Sequence, residues 1–253
     1  MIGVFITARL GSTRLPGKHL LEVKGKPLIA WLVTRFTIAF RKQILENELK
    51  LFITTSVKPE NKKFESIFGK GEVEVFFGSD QNIPLRHLEC AKQNNIDYII
   101  SIDGDDILCS TEATKLAIGR LIKGSKVLQT SGLPLGMNVL GYSRKFLEKS
   151  LRGKETIKLE TGWGMIFDKN VIDIIEIERK EDTDRLRMTL DYDADAEFFQ
   201  KVISSLDILS INDNHLIDNI LSFEWDKINS HLNEIYWENF NQARKEENNE
   251  IGK

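Results

Sequence analysis

The feature that most constrains the fold is an alternation of short apolar runs with amphipathic segments along the first half of the chain. Residues 2–7 (IGVFIT) carry no charge and end in a polar loop, the pattern of a strand buried on both faces. Pro27 follows that loop. Its fixed φ and missing N–H suit a helix start, and Leu28, Leu32, Phe36 and Ala39 recur behind it at helical spacing. The unit then repeats. Residues 51–55 and 73–77 read as strands with a helix over 60–68 between them. Residues 84–94 read as a helix, 98–103 as a strand, and 111–121 as a helix capped by Ser110 or Thr111. Strands alternating with helices of this length predict an α/β fold, with right-handed crossovers and a mainly parallel sheet flanked by helices.

The second half is less periodic. Residues 127–130, 139–142, 163–167 (WGMIF) and 187–190 read as strands, 145–151 as a helix, and 193–204 as an amphipathic helix. From about Leu209 the composition turns to Asn and Asp. There 216–221 and 231–243 read as short helices, and the terminal KEENNEIGK is expected to fray. This divides the chain into a domain over 1–208 and a helical tail over 209–253. Trp225, Tyr236, Trp237 and Phe240 in the tail are expected to cap a core.

Charge narrows the classes of function. Lys and Arg total 35 against 38 Asp and Glu, a net charge of −3 that gives no footprint for nucleic acid or an anionic membrane. No apolar run reaches the roughly 18 residues of a membrane span, and no secretory signal is seen at the N-terminus. Cys90 and Cys109 fit no zinc spacing and read as buried thiols. These traits lead us to expect a cytoplasmic protein with neither nucleic acid nor membrane as partner. The assembly stays open, a homodimer included.

The chemistry concentrates in the loop after the first strand, Ala8-Arg9-Leu10-Gly11-Ser12-Thr13-Arg14-Leu15-Pro16-Gly17-Lys18. In open α/β sheets ligands bind where loops leave the carboxyl ends of strands. Gly11 and Gly17 let backbone approach a ligand, and Arg9, Arg14 and Lys18 are cations whose mutual repulsion a polyphosphate offsets. The loop is not a P-loop: five residues separate Gly11 from Gly17, and His19 rather than Ser or Thr follows Lys18. Asp103-Gly104-Asp105-Asp106 ends a strand with hard oxygen ligands of the kind Mg²⁺ accepts alongside substrate phosphates. Asp191 stands at another strand end and is the better second ligand, since Asp193 and Asp195 fall in the first turn of a helix and suit its dipole. His19 and His87 lie in or beside predicted helices and read as structural.

At these residues the chain resembles a known family. The run ARLGSTRLPGKHLLEVKGKPLI closely resembles the signature of the cytidylyltransferases, among them CMP-Kdo synthetase, CMP-sialate synthetase and the spore-coat polysaccharide protein F group. Phe77-Gly78-Ser79-Asp80 with Arg86, Asp103-Gly104-Asp105, and Leu186-Arg187-Met188-Thr189-Leu190-Asp191 extend the resemblance to about residue 205. It implies a Rossmann-like nucleotidyltransferase fold, CTP as donor and pyrophosphate as product. It implies that Asp105 and Asp191 hold Mg²⁺ and that Arg14 and Lys18 bind the triphosphate. Residues 8–12, with Ala8, Arg9, Gly11 and Ser12, together with Gly78, Ser79 and Arg86, would contact base and ribose, and Asp103 belongs to the same nucleotide site.

Some residues depart from the family pattern. Ile107 stands where the family often has Pro, Tyr192-Asp193-Ala194-Asp195 where it often has Thr-Pro-Glu-Asp, and Glu160-Thr161-Gly162-Trp163-Gly164 has no assigned counterpart. The acceptor therefore stays open. With no evident general base, a phosphorylated acceptor is favoured, because its oxygen is already ionised. Within the resemblance, phosphoglutamine giving CDP-glutamine for a capsule or surface polysaccharide ranks first. A sugar acid of the Kdo or nonulosonate type is the alternative. The D-x-D spacing of Asp103 and Asp105 also suits a metal-dependent glycosyltransferase, although the cationic first loop is not expected there.

Overall fold

The computed structural model describes residues 1–69, 71–179 and 183–251. In chain order the first half holds β1 (Ile2–Thr7), β2 (Glu22–Val23), β3 (Lys26–Pro27), α1 (Leu28–Ala39), α2 (Arg41–Leu45), β4 (Leu49–Ser56), α3 (Lys63–Phe68), β5 (Val73–Gly78), α4 (Ile83–Gln93) and β6 (Tyr98–Asp103). The second half holds α5 (Thr111–Ile122), β7 (Val127–Ser131), β8 (Leu140–Ser143), α6 (Arg144–Leu151), β9 (Asp173–Glu176), α7 (Asp193–Ser205), α8 (Asp213–Ser222) and α9 (Asn233–Ile251). Among the described residues, one seven-stranded sheet runs in the order β5-β4-β1-β6-β8-β7-β9. Strands β5, β4, β1 and β6 are mutually parallel, and β8 is antiparallel to both of its neighbours. The expected α/β architecture is thus present. Among the described residues, no helix is long and apolar enough to cross a membrane.

The alternation of a strand decides which face each side chain joins. Val4, Ile6, Leu51, Ile53, Ile100 and Ile102 face one core with α1, α3, α5, α7 and α8. Phe5, Phe52 and Ile99 face the other, with Leu88 and Ala91 of α4 and Leu147 of α6. A sheet buried on both faces explains why β1 and β6 read as continuous apolar runs. Cys90 and Cys109 are buried free thiols, and burial pushes both up, as a structural role requires.

Three expectations are corrected. Residues 163–167 form a 3₁₀ turn, Trp163–Ile166, because Gly162 and Gly164 leave the run without strand partners. Residues 187–190 make no strand beyond one bridge from Arg187 to Leu135. The terminal segment does not fray at Lys245: α9 continues to Ile251, the backbone of residues 252 and 253 lying outside the described residues.

Strand order also builds the site. The chain adds β4 and β5 on one side of β1, then returns to add β6 on the other. The gap between the carboxyl ends of β1 and β6 is therefore the topological switch point, where such sheets bind ligands.

Beneath that point lies His87 of α4, fully buried. One ring nitrogen bonds Thr7 Oγ1 at 2.8 Å and the other the Tyr142 hydroxyl at 2.6 Å. Burial, with the charge of Arg86, lowers its pKa to about 3 from an ordinary 6.5. A histidine depressed in this way adds stability above its unfolded pKa and loses it as pH falls. Between 6.5 and about 3 the unfolded chain binds one more proton, a slope of about 1.4 kcal/mol per pH unit. Urea denaturation across that window should show this slope, and His87→Gln should lose that part of it. Equal slopes in the two proteins would exclude His87 as its source.

Candidate active site

β1 and β6 end together, with Thr7 paired beside Asp103, so the basic and acidic loops leave the sheet side by side. The Gly104 N–H donates to Thr7 O at 2.8 Å. A Cβ on Gly104 would stand 2.8 Å from Ala8 Cβ and 3.0 Å from Thr7 O, so only glycine lets the acidic turn press this closely on the basic loop. From the other side, Leu190 N–H donates to Asp105 O at 3.0 Å and brings Asp191 alongside Asp105.

The basic loop is anchored. Leu10 N–H donates to Asn61 Oδ1 at 2.9 Å, and Asn61 Nδ2 donates to Ser56 O of β4 at 3.1 Å. Leu15 N–H donates to Ser12 Oγ at 3.3 Å. Gly17 then takes φ +67°, a left-handed conformation favoured for glycine. The turn Lys18–Leu20 that follows drives Lys18 and His19 inward, to 5% and 2% exposure.

These segments converge on one charge cluster. Lys18 Nζ donates to Asp105 Oδ2 at 2.5 Å and to Asp191 Oδ1 at 3.0 Å. Arg14 Nη2 donates to Asp191 Oδ1 at 2.5 Å. His19 Nε2 lies 2.7 Å from Asp105 Oδ1, close enough for charge pairing but out of line for a hydrogen bond. Burial alone would lower the Lys18 pKa, but Asp105 and Asp191 override it and hold it above the usual value. Burial opposes ionisation of Asp105, yet Lys18 and His19 hold it below the usual carboxylate range. Asp103 stands open to cleft water between protein walls. Desolvation by those walls, then the charge of Asp105, raise its pKa to about 6.

Above the cluster opens a cleft of about 1080 Å³. Ala8, Arg9, Gly11, Ser12, Arg14, Lys18, Arg86, Asp103, Asp105 and Asp191 all line it. Gly78 and Ser79 do not. Gly78 is buried where a Cβ would stand 2.9 Å from Arg86 Cγ, and Ser79 O accepts from Arg86 Nε at 2.8 Å. Ser79 O, with Asp80 O, therefore helps hold the Arg86 guanidinium at the cleft wall, and Gly78 leaves room for the Arg86 stem. Burial, then the charge of Arg9, lower the Arg86 pKa to about 10.

Several lining residues were invisible in the sequence. Gln129 and Asn138 come from the irregular second half, and Tyr236, Trp237, Asn239 and Phe240 from α9. The α9 aromatics thus face the cleft, not the core expected of them; Trp225 does pack on the core. Arg187 is the other omission, although its i+4 and i+8 carboxylates were a readable signal. It is fully buried, donates to Asp191 Oδ2 at 3.2 Å and to Asp195 at 2.8 and 3.0 Å, and lies 4.6 Å from the Tyr236 ring centroid. Asp195 also accepts the N–H groups of Asp191 and Tyr192 at 2.9 and 3.0 Å, so it caps the turn carrying Asp191. Removing one partner of a buried pair leaves the other charge uncompensated. Arg187→Met should therefore cost about 3–5 kcal/mol in urea denaturation. A change within experimental error would show that Arg187 does not hold this turn.

Comparison with known proteins places the geometry. Residues 4–215 match the sequence model of the family described as cytidylyltransferase. An uncharacterized protein of Methanocaldococcus jannaschii is 25% identical over 86% of this chain and 89% of its own. The spore coat polysaccharide biosynthesis protein SpsF of Bacillus subtilis is 31% identical over 52% of this chain and 55% of its own. Among solved structures, a cytidylyltransferase from Leptospira borgpetersenii superposes with a TM-score of 0.75 at 23% identity, over 89% of this chain and 95% of that one, a likeness of fold. With the family pattern spanning the sheet, the basic loop and both acidic segments, the chain belongs to the cytidylyltransferase family and is a nucleotidyltransferase.

Proposed function

We propose that the chain transfers CMP from CTP to a phosphorylated small-molecule acceptor and releases pyrophosphate, making an activated precursor of a surface polysaccharide. One observation carries this reading: a buried ammonium, Lys18, shared by two carboxylates, Asp105 and Asp191, that come from distant parts of the chain. The donor reading rests on the family match, and the polysaccharide context on the likeness to the Bacillus protein.

The same two carboxylates fit a divalent ion. Asp105 and Asp191 already converge on one cation, and Asp105 Oδ1 is buried without an aligned hydrogen bond. Among the described residues, no group of three or more His, Cys, Asp or Glu could hold a metal. A pair of carboxylates completed by phosphate and water is the arrangement Mg²⁺ accepts. Bound there, Mg²⁺ supplies neutralising charge to the phosphates.

The rest is the work of the chain. An incoming triphosphate competes with Asp105 and Asp191 for Arg14 and Lys18. The two cations then balance charge growing on the departing pyrophosphate. An acceptor oxygen forms a bond to the α-phosphorus as the bond to the bridging oxygen of pyrophosphate breaks. His87 and His19 offer no free ring nitrogen as a general base, which favours an already ionised acceptor oxygen; Asp103, which lines the cleft with its pKa raised to about 6, is the carboxylate that would serve a hydroxyl acceptor instead. His87 has both ring nitrogens bonded in the core, and those of His19 are buried, one turned to Asp105. Gln129, Asn138, Asn233 and Asn239 also line the cleft, with the amide nitrogens of the three asparagines bonded to Leu133, Arg185 and Tyr192 respectively.

Pyrophosphate release from CTP, Mg²⁺ and each candidate acceptor tests this reading. Release with phosphoglutamine supports it; release only with a free sugar acid reverses the choice of acceptor. Asp105→Asn and Asp191→Asn should each lower turnover by at least about a hundredfold while circular dichroism stays unchanged. Near-wild-type rates in either would remove the metal assignment.

A further inference from the structure

Helix α9 lies outside the stretch that matches the family, residues 4–215, yet it touches both flanks of the charge cluster. On one flank Tyr236 lies against Arg187, which holds Asp191. On the other flank is Glu247, only 6% exposed. Its Oε1 accepts the N–H groups of Glu160 and Thr161 at 3.0 and 2.8 Å, and its Oε2 accepts that of Gly162 at 2.9 Å. Three successive amides turned on one carboxylate form a concavity matched to an anion, with charge-assisted bonds. A Cβ on Gly162 would stand 3.0 Å from Arg244 Cγ, so this glycine lets α9 approach. Glu160, fixed in this way, pairs through its own carboxylate with Arg9 of the basic loop.

We propose that Glu247 is a positioning residue for the nucleotide loop. It acts through the backbone of residues 160–162 and the Glu160–Arg9 pair, so that α9 sets where Arg9 stands over the cleft. Without the Glu247 carboxylate three amides lose their acceptor, the 160–162 segment refits, and Glu160 no longer holds Arg9 in place. The segment 160–162 thereby gains a role: it is the strut between α9 and the basic loop.

Amide hydrogen exchange on the ligand-free full chain tests the strut without reference to any substrate. In Glu247→Ala, exchange should rise about fivefold at residues 160–162 and also in the loop at 9–14, while β1, β4 and β6 exchange as in the wild type. Acceleration confined to 160–162 would overturn the proposal. A second readout rests on the CTP reading of the loop. Calorimetry with CTP and Mg²⁺ should give Kd raised about fivefold in Glu247→Ala and in Glu160→Gln, and no further in the double variant. Additive losses, or none, would overturn the proposal. If Glu247→Ala does not fold, Glu160→Gln alone decides, since it cuts the last link and leaves the helix anchored. CTP that fails to bind the wild-type chain would overturn the donor assignment, and loop exchange would then decide the positioning role by itself.

Discussion

A buried ammonium between two carboxylates is the interaction on which the rest of the site depends. Burying charges costs free energy that only close pairing offsets, so Lys18, Asp105 and Asp191 must be delivered together from three places in the chain. The sheet does this by its order. Because β6 returns to the free side of β1, the loop that carries Lys18 and the turn that carries Asp105 begin at paired residues, Thr7 and Asp103. One backbone bond from Leu190 to Asp105 then adds Asp191. Brought together here, the cations and carboxylates neutralise one another.

Around Lys18 the protein places supports that brace the members of the cluster. Arg187 is fully buried and splits its guanidinium between Asp191 and Asp195. Asp195 spends its remaining capacity on the backbone of the same turn and on Asn229. Gly78 and Ser79 play the matching part for Arg86 on the opposite wall. Short motifs that look like ligand contacts in the sequence therefore include residues whose task is to hold the contacting side chain at a fixed angle.

How much of this was legible follows from where the information lies. The βαβ half was readable because a strand buried on both faces must be apolar throughout, as in 2–7 and 98–103. The charge cluster was readable because its members lie in the loop that follows such a strand, directly after one, or, for Asp191, before a clear amphipathic helix. Residues 163–167 misled because apolar side chains can be buried by a 3₁₀ turn as well as by a strand. Residues 187–190 misled because Arg187 and its neighbours are held by side-chain bonds that leave no periodic trace. The turn of Tyr236, Trp237 and Phe240 toward the cleft was invisible for a related reason. An aromatic stripe announces that a helix packs, not against what.

The same asymmetry separates the two halves of the reaction. Lys18 and Asp105 sit on loops that leave β1 and β6, Asp191 is tied to them by one backbone bond, and all three lie within the stretch that matches the family. The far wall is assembled from Gln129, Asn138 and the face of α9, elements joined to the sheet by longer and less regular connections. Among the described residues, helix α9 has no direct bond to Lys18 or to either aspartate, and its Tyr236 reaches Asp191 only through Arg187. Its one obligation to the donor half is geometric, through Glu247 and Tyr236 at the two flanks of the cluster. The two walls of the cleft are thus tied together by anchors near opposite ends of a single helix, Tyr236 and Glu247.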